Sequence, residues 1–181
     1  MEFPLLGTEP LAVEFANTWY DDGAVDYLAT PELVRGWFQA YGDAHDAGVH
    51  RVPTRDAGRV RELRGHVHRL LAAVADGRHP GPDPIAAVND CAALAYSSVR
   101  LTWPSGGRPS ASTDSATSGT TRLLAALASE AIELAAGDDR IGRCEGPGCR
   151  MLFVRTHGRR RFCHASCSQR GRQARYYRKT H

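Results

Sequence analysis

The chain has 181 residues, an apolar fraction of 42% and a formal net charge of +3. This length suits one medium domain, or one domain with a small appended module, and the apolar fraction is enough for a core without disulfide bonds. The N-terminal sequence lacks the features of a secretion signal, and no segment approaches the ~18 apolar residues of a membrane span. We therefore expect a soluble, cytoplasmic protein with no membrane partner.

Two segments of the first 140 residues predict extended structure. Residues 11–19, LAVEFANTW, place apolar side chains at alternate positions, which predicts a strand or a strand running into a helix. Residues 97–104, SSVRLTWP, predict a second strand. The following segment, residues 104–121, is rich in Ser, Thr and Gly, and we interpret it as a mobile loop or loose hairpin rather than a domain linker.

Four helices are predicted in the same part of the chain from capping residues and apolar spacing. Their start signals are Thr30–Pro31, Thr54, Asp83–Pro84 and the Thr pair at 120–121, and glycines near 77 and 137 end the second and fourth. The predicted core positions of the first helix are Leu33, Val34, Trp37, Phe38 and Tyr41. Those of the second are Val60, Leu63, Val67, Leu70, Leu71 and Val74.

The charge is distributed very unevenly along the chain. Residues 141–181 contain eleven of the twenty-three Lys and Arg residues and a single acid, Glu145, so their net charge is +10, whereas residues 1–140 have a net charge of −7. An acidic body with a strongly basic end predicts that the end meets a polyanion. The chain uses Arg in place of Lys almost throughout, but such a coding bias does not explain why the cations gather in one segment.

Four of the five cysteines form two close pairs, Cys144 with Cys149 and Cys163 with Cys167. Two such pairs separated by thirteen residues are typical of a structural zinc site, and four thiolates would leave no open coordination position for catalysis. Disulfides are disfavoured in the cytosol. His157 and His164 remain alternatives to a thiolate ligand, and both are also explained as solvated residues. Cys91 lies on an apolar helix, where we interpret it as a buried small hydrophobe.

The spacing also predicts how the cysteine segment folds. The glycine-rich CEGPGC would form a tight knuckle, RMLFV a strand, RTHGR a turn, and RRFC a returning strand. A helix would follow, with Cys167 in its first turn. This arrangement is treble-clef-like, and a segment with so few large apolar residues needs the zinc ion in order to fold.

The basic residues around the cysteines predict contacts with a nucleic acid. After two charges are subtracted for a zinc–thiolate centre, about +8 remains, which is the footprint of phosphate-backbone binding. A solvated charged face, or a tail that docks on an acidic protein, is the alternative. The candidate nucleic-acid contacts are Arg159, Arg160, Arg161, Arg170, Arg172, Arg175, Arg178 and Lys179.

Two known families resemble this chain over almost its whole length. The pattern of Cys144, Cys149, LFV, RRRFC and Cys167 resembles the CGNR zinc finger, although Ser168–Gln169 replaces the usual Gly-Asn and Arg155 the usual Asp. LAVEFANTW and VRELRGHVHRLL (residues 60–71) resemble the ABATE domain that precedes this finger. The resemblance implies a transcription regulator, often stress-linked, whose finger binds DNA.

Taken together, these observations predict a mostly α (α+β) fold in two parts. Residues 1–140, which we call the helical body, form an ABATE-like domain with a few short antiparallel strands. Residues 141–181, the zinc module, form a CGNR-type finger with one structural Zn²⁺ and a basic C-terminal helix. We expect a DNA-binding regulator whose body senses a small-molecule effector or forms a homodimer. Nothing in the residues distinguishes DNA from RNA.

The main alternative is an enzyme or a small-molecule binder that acts through the helical body, with the zinc module as scaffold. The candidate residues there are Glu14, Asn17, Arg64, His66 and His68, each of which also has an ordinary structural explanation. The chain contains no nucleophile elbow, phosphate loop or dinucleotide fingerprint. A third hypothesis is a protein-interaction module, which competition by duplex DNA would distinguish.

Overall fold

The protein is mostly helical, as the sequence predicted, with short antiparallel strands. The computed structural model describes residue 3 and residues 5–20, 25–44, 51–95, 97–115, 117–137 and 141–180. None of the helices in these ranges has the length and apolar character that crossing a bilayer requires.

Six helices and three two-stranded antiparallel sheets make up the described structure. The helices are α1 (Leu11–Ala16), α2 (Pro31–Ala44), α3 (Ala57–Ala75), α4 (Pro82–Ala92), α5 (Gly119–Ala136) and α6 (Ala165–Thr180). The strand pairs are β1 (Trp19–Tyr20) with β2 (Val25–Asp26), β3 (Ser97–Thr102) with β4 (Ser110–Ser115), and β5 (Ile141–Arg143) with β6 (Leu152–Val154). Single 3₁₀ turns at Thr54–Asp56 and Ala93–Ala95 adjoin α3 and α4.

Helix α3 is the centre of the helical body and packs against α1, α4 and α5. The four predicted helices are confirmed as α2 to α5. The Thr30 hydroxyl accepts a hydrogen bond from the Leu33 amide at 3.3 Å, so Thr30 caps α2 as expected. The predicted core faces are buried apart from Leu33 and Val74, which are half-buried.

The segment LAVEFA is a helix, α1, and the prediction of a strand at its start was wrong. Pro10 precedes the helix, where its fixed φ is compatible with a helix start. The five residues that follow Leu11 are all buried, the acidic Glu14 included. A helix that is buried on all sides shows no polar face, and its short apolar pattern therefore does not distinguish it from a strand.

The Ser- and Gly-rich segment forms the second arm of a hairpin. Strand β3 confirms the predicted strand, and β4 pairs with it in a register that places Leu101 opposite Ala111. The connection is tightened by a hydrogen bond from the Gly107 amide to the Pro104 carbonyl at 3.0 Å. Three large apolar side chains of this hairpin are exposed: Val99, Leu101 and Trp103.

Strand β6 contributes to two cores at once because its side chains alternate between faces. Leu152 and Val154 belong to the core of the helical body, together with Ile141 of β5. Phe153 points the other way and packs with the four cysteines of the zinc module. The body and the module therefore share one strand pair.

The outer edge of β6 is satisfied by side chains from the N-terminal segment. The Asn17 amide donates to the Leu152 carbonyl at 3.0 Å, and the Leu152 amide donates to Asn17 Oδ1 at 2.8 Å. Glu9 Oε2 accepts a hydrogen bond from the Val154 amide at 2.8 Å. A two-stranded sheet would otherwise leave these backbone groups without partners in a buried place.

We predict that Asn17→Ala lowers the free energy of unfolding by about 3 kcal/mol, because it leaves the buried amide and carbonyl of Leu152 without partners. Urea denaturation of the purified protein would measure the change. Asn89→Ala is the matched control, since Asn89 is exposed on α4 and should be replaceable within about 0.5 kcal/mol. Equal stabilities for the two variants would contradict this role of Asn17.

Candidate metal centre and basic surface

The four cysteines of the zinc module lie together in a buried cluster. Their sulfur atoms are all within 4.8 Å of one another. The Cys149 and Cys163 sulfurs are 3.7 Å apart, and those of Cys163 and Cys167 are 3.6 Å apart. Tetrahedral Zn²⁺ with Zn–S bonds of about 2.3 Å requires sulfur atoms roughly 3.8 Å apart. The cluster is able to hold one zinc ion, as predicted.

The first cysteine pair sits at the tip of the β5–β6 hairpin. Cys144 directly follows β5, and its amide donates to the Met151 carbonyl at 2.9 Å. The knuckle between the pair requires glycine at two positions. A Cβ on Gly146 would lie 2.9 Å from Cβ of Cys167, and Gly148 has a φ of +68°. The expected tight knuckle is therefore present.

The second cysteine pair is positioned by a loop and a helix. Cys167 lies in the first turn of α6, as predicted. The expected hairpin between LFV and a returning RRFC strand is wrong, because β6 pairs with β5 instead and residues 160–163 are not extended into a strand. A side chain holds this loop in place: Arg160 donates to the carbonyls of Val154, at 2.8 Å, and Cys163, at 3.0 Å.

Hydrogen bonds to two of the sulfur atoms favour the thiolate form of these cysteines. The amides of Gly146 and Cys163 both donate to the Cys144 sulfur at 3.4 Å, and Arg170 donates to the Cys167 sulfur at 3.1 Å. Hydrogen bonds from the neighbouring Cys149 and Cys163 thiols lower the pKa of Cys144 to about 2. The same close contact with Cys144 raises the pKa of Cys149 to about 11. Four crowded thiols can all ionise only with a bound cation.

The donor set thus fits Zn²⁺ in a closed, four-sulfur site. Such a site contributes to folding, because the ion replaces the large apolar core that the module lacks. His157 and His164 are exposed and stand outside the cluster of possible ligands found in the described residues. Cys91 is also outside it: the residue is half-buried against the main core, and burial raises the pKa of its thiol.

One predicted nucleic-acid contact, Arg160, is bonded to groups within the protein. Its guanidinium donates to Glu9 Oε1 at 2.6 Å and lies 4.8 Å from the centre of the Phe153 ring. The Arg160 side chain is 16% exposed and the Glu9 side chain 1%. An ion pair with so little exposure cannot release its arginine to a ligand without leaving a buried charge behind.

The other predicted basic residues occupy the surface around the cluster. Arg159 is exposed, and Arg161 forms an exposed ion pair with Glu145. On α6, Arg172 bonds to the Ser168 hydroxyl at 3.0 Å, and Arg175 and Arg178 are exposed. Lys179 lies in α6, but its side chain is outside the described part of the structure.

The five candidate residues of the helical body do not form one site. Glu14 is buried and accepts the amides of Leu6 and Gly7, at 3.0 and 2.8 Å. Asn17 binds the backbone of β6, and Arg64 forms a bidentate ion pair with Asp26. His66 contacts Arg69 at 3.0 Å. His68 accompanies Trp19 beside a pocket.

The residues that join the body to the module were not predicted. Glu9 carries no local signal of its pairing with Arg160. Asp76 at the end of α3 accepts two hydrogen bonds from Arg143 of β5, both at 3.0 Å. The bond from Arg143 is also the main reason why the pKa of Asp76 is lowered below its usual value. These partners are 67 and 151 residues apart in sequence, so no spacing rule identifies them.

Two family models match the chain and together cover most of it. The ABATE model, described as "Putative stress-induced transcription regulator", matches residues 9–138. The CGNR zinc finger model matches residues 140–180. The resemblance noted from the sequence is thereby confirmed. A comparison with curated proteins gives no match.

We predict that Cys163→Ser reduces the zinc content from one ion per chain to nearly none and lowers the helical content, because three sulfurs do not complete the site. Metal analysis after dialysis against a mild chelator, together with far-UV circular dichroism, would measure both effects. Cys91→Ser is the matched control and should retain one zinc ion per chain. A Cys163→Ser protein that keeps its full zinc content would contradict the assignment.

Proposed function

The chain belongs to the ABATE family, and we propose that it is a DNA-binding transcription regulator that contacts DNA through helix α6 and the basic loop before it. The observation that carries the proposal is the exposed charge of α6. This helix holds five Lys and Arg residues and no acid. The side chains of Arg172, Arg175 and Arg178 are exposed and form no ion pair with a described residue.

The geometry of α6 suits the major groove of DNA. The helix has 16 residues and is therefore about 24 Å long. The groove is wide enough to admit one helix, and an arginine there can donate two hydrogen bonds to a guanine. Arg172 and Arg175 are three residues apart, so both lie on one side of α6. Tyr176 and Tyr177 are 66% and 62% exposed beside them.

The zinc centre supports this function by fixing where α6 begins. Cys167, a proposed ligand, is in the first turn of the helix, and Gly171 in the next turn packs against Phe162, where an added Cβ would approach the ring to 3.1 Å. The rest of the helix then projects from the module. We assign zinc ligation to Cys144, Cys149, Cys163 and Cys167, and DNA contact to Arg159, Arg161, Arg170, Arg172, Arg175, Arg178 and Lys179.

We further propose a division of labour in a cytoplasmic protein. Residues 1–140 would sense an effector or form a homodimer, and residues 141–181 would bind the nucleic acid. The exposed Arg161–Glu145 pair does not prevent Arg161 from contacting phosphate, since an exposed ion pair contributes little. Arg160 is left out of the proposed interface, because Glu9 and three backbone carbonyls occupy its donors.

We predict that the full chain binds a generic labelled duplex with a log–log salt slope of about −4 to −7, which corresponds to five to eight phosphate contacts. Replacing Arg172, Arg175 and Arg178 together by Gln should reduce that slope by about 2 to 3, because each phosphate contact contributes roughly one unit. Fluorescence anisotropy across a salt series would measure both slopes.

The matched control replaces three exposed arginines of the helical body, Arg35, Arg51 and Arg55, by Gln, which removes the same charge. This control should keep the wild-type slope. If its salt slope falls as much as that of the α6 variant, the change reflects net charge alone and the proposed interface is wrong. If the wild-type chain fails to bind at low salt, DNA binding is wrong. Tighter binding of single-stranded RNA would redirect the proposal to RNA.

A further inference from the structure

A pocket of about 320 Å³ lies where the C-terminal half of α3 meets strand β5. We call it the seam pocket, because it borders both the helical body and the zinc module. Its chemical character comes from the side chains of Trp19, His68, Arg69, Arg78 and Arg143. No carboxylate is found among the described residues that line it. Its volume lies at the lower end of the range for small-molecule sites.

Three of the described side chains that line the seam pocket are those of arginines. Arg143 and Arg78 share a single carboxylate, that of Asp76: Nε and Nη2 of Arg143 each donate to it at 3.0 Å, and Arg78 Nε donates to it at 3.2 Å. Arg69 is bonded to the ring of His66 at 3.0 Å. In the described part of the chain, the pocket therefore carries three guanidinium groups on its wall, two of which share the Asp76 carboxylate, and this concentration of cations attracts an anion.

Trp19 forms a flat wall of the seam pocket and is held in place from several sides. Its ring packs on α3 at Gly65, where an added Cβ would lie 3.3 Å from the ring. The Arg64 guanidinium is 5.3 Å from the ring centre, and the His68 ring is 5.8 Å away. Arg64 is itself fixed by its ion pair with Asp26. Because the Trp19 ring is already held in place, a planar ligand that stacks on it causes little further loss of side-chain entropy.

We propose that the seam pocket binds a small planar carboxylate, with its ring against Trp19 and its carboxylate among Arg69, Arg78 and Arg143. Arginine recognises carboxylates through two parallel hydrogen bonds. Arg143 already binds the Asp76 carboxylate in this way, which shows that its donors are oriented for that geometry. The ring of the ligand supplies buried apolar area, and the guanidinium groups supply selectivity for the anion.

The position of Arg143 couples the seam pocket to the zinc module, and this step rests on the proposed function. Arg143 is the last residue of β5 and is followed directly by Cys144. A bound carboxylate competes with Asp76 for Arg143, and so changes the contact that joins the end of α3 to the cysteine hairpin. By linkage, DNA and ligand then alter one another's affinity by the same factor.

Calorimetric titration of the full zinc-loaded chain with 2-naphthoate and with its neutral analogue 2-naphthamide tests the pocket in the absence of DNA. We expect 2-naphthoate to bind at least about tenfold more tightly, because only the carboxylate engages the guanidinium groups. Equal affinities, or no heat of binding for 2-naphthoate up to 10 mM, would overturn the proposal. The tenfold ratio is the lower end of what one charged hydrogen bond contributes to affinity.

Three substitutions locate the binding. Arg69→Gln and Arg78→Gln should each weaken 2-naphthoate about tenfold and leave 2-naphthamide unchanged. Trp19→Leu should weaken both probes, because it removes the wall on which either ring stacks. Arg35→Gln, on the exposed side of α2, is the matched control and should change neither. If Arg35→Gln weakens 2-naphthoate as much as Arg69→Gln does, the probe is not in the seam pocket.

Repeating the DNA titration with saturating 2-naphthoate tests the coupling separately. A change in DNA affinity of at least about threefold supports it, and an unchanged affinity shows that the pocket binds ligand without regulating α6. If the protein binds 2-naphthoate but fails to bind DNA, the proposed function and the coupling are wrong while the pocket stands. If it binds DNA but not 2-naphthoate, the pocket is wrong and the proposed function stands.

Discussion

The outer edge of strand β6 is the constraint on which the rest of this protein depends. The zinc module contains few large apolar residues, and a segment of this kind does not build a stable core by itself. Zinc can organise the cysteine face of β6, and the core of the helical body covers the opposite face, but the outer edge needs a partner. The N-terminal segment supplies it through Glu9, which is buried and therefore requires the Arg160 guanidinium. Removing either partner would leave a buried charge.

Much of the fold could be predicted from local signals. Helices α2 to α5 begin within three residues of the predicted start signals and carry apolar residues at helical spacing, and both signals are local in the sequence. Helix α1 could not be identified, because its burial on every side removes the polar face that reveals a period. The partner of β6 was also missed: LFV can pair with either flanking segment, and in the folded chain it pairs with β5, while Arg160 of the other segment donates to the Val154 carbonyl through its side chain.

The candidate site was likewise predictable only where its signals are local in the sequence. The cysteines could be grouped from their spacing because zinc ligands follow a local rule. The arginines could not be sorted, because the sequence does not show which guanidinium stays exposed and which one holds a loop in place. Only the folded chain separates Arg160, enclosed by Glu9 and Phe153, from Arg175, which stays exposed on α6. The Asp76–Arg143 contact is likewise a product of tertiary structure.

The charge of α6 affects the stability of the helix as well as its proposed binding to DNA. The zinc centre and Gly171 hold only its first two turns. Beyond them Arg172, Arg175 and Arg178 follow one another at intervals of three residues, and Lys179 lies four residues after Arg175. Like charges at these spacings destabilise an isolated helix by about 0.2–0.5 kcal/mol per pair. A polyanion that neutralises these cations removes the repulsion. Under the proposed function, DNA binding would therefore stabilise the helix, and part of the binding free energy would be used to order its end.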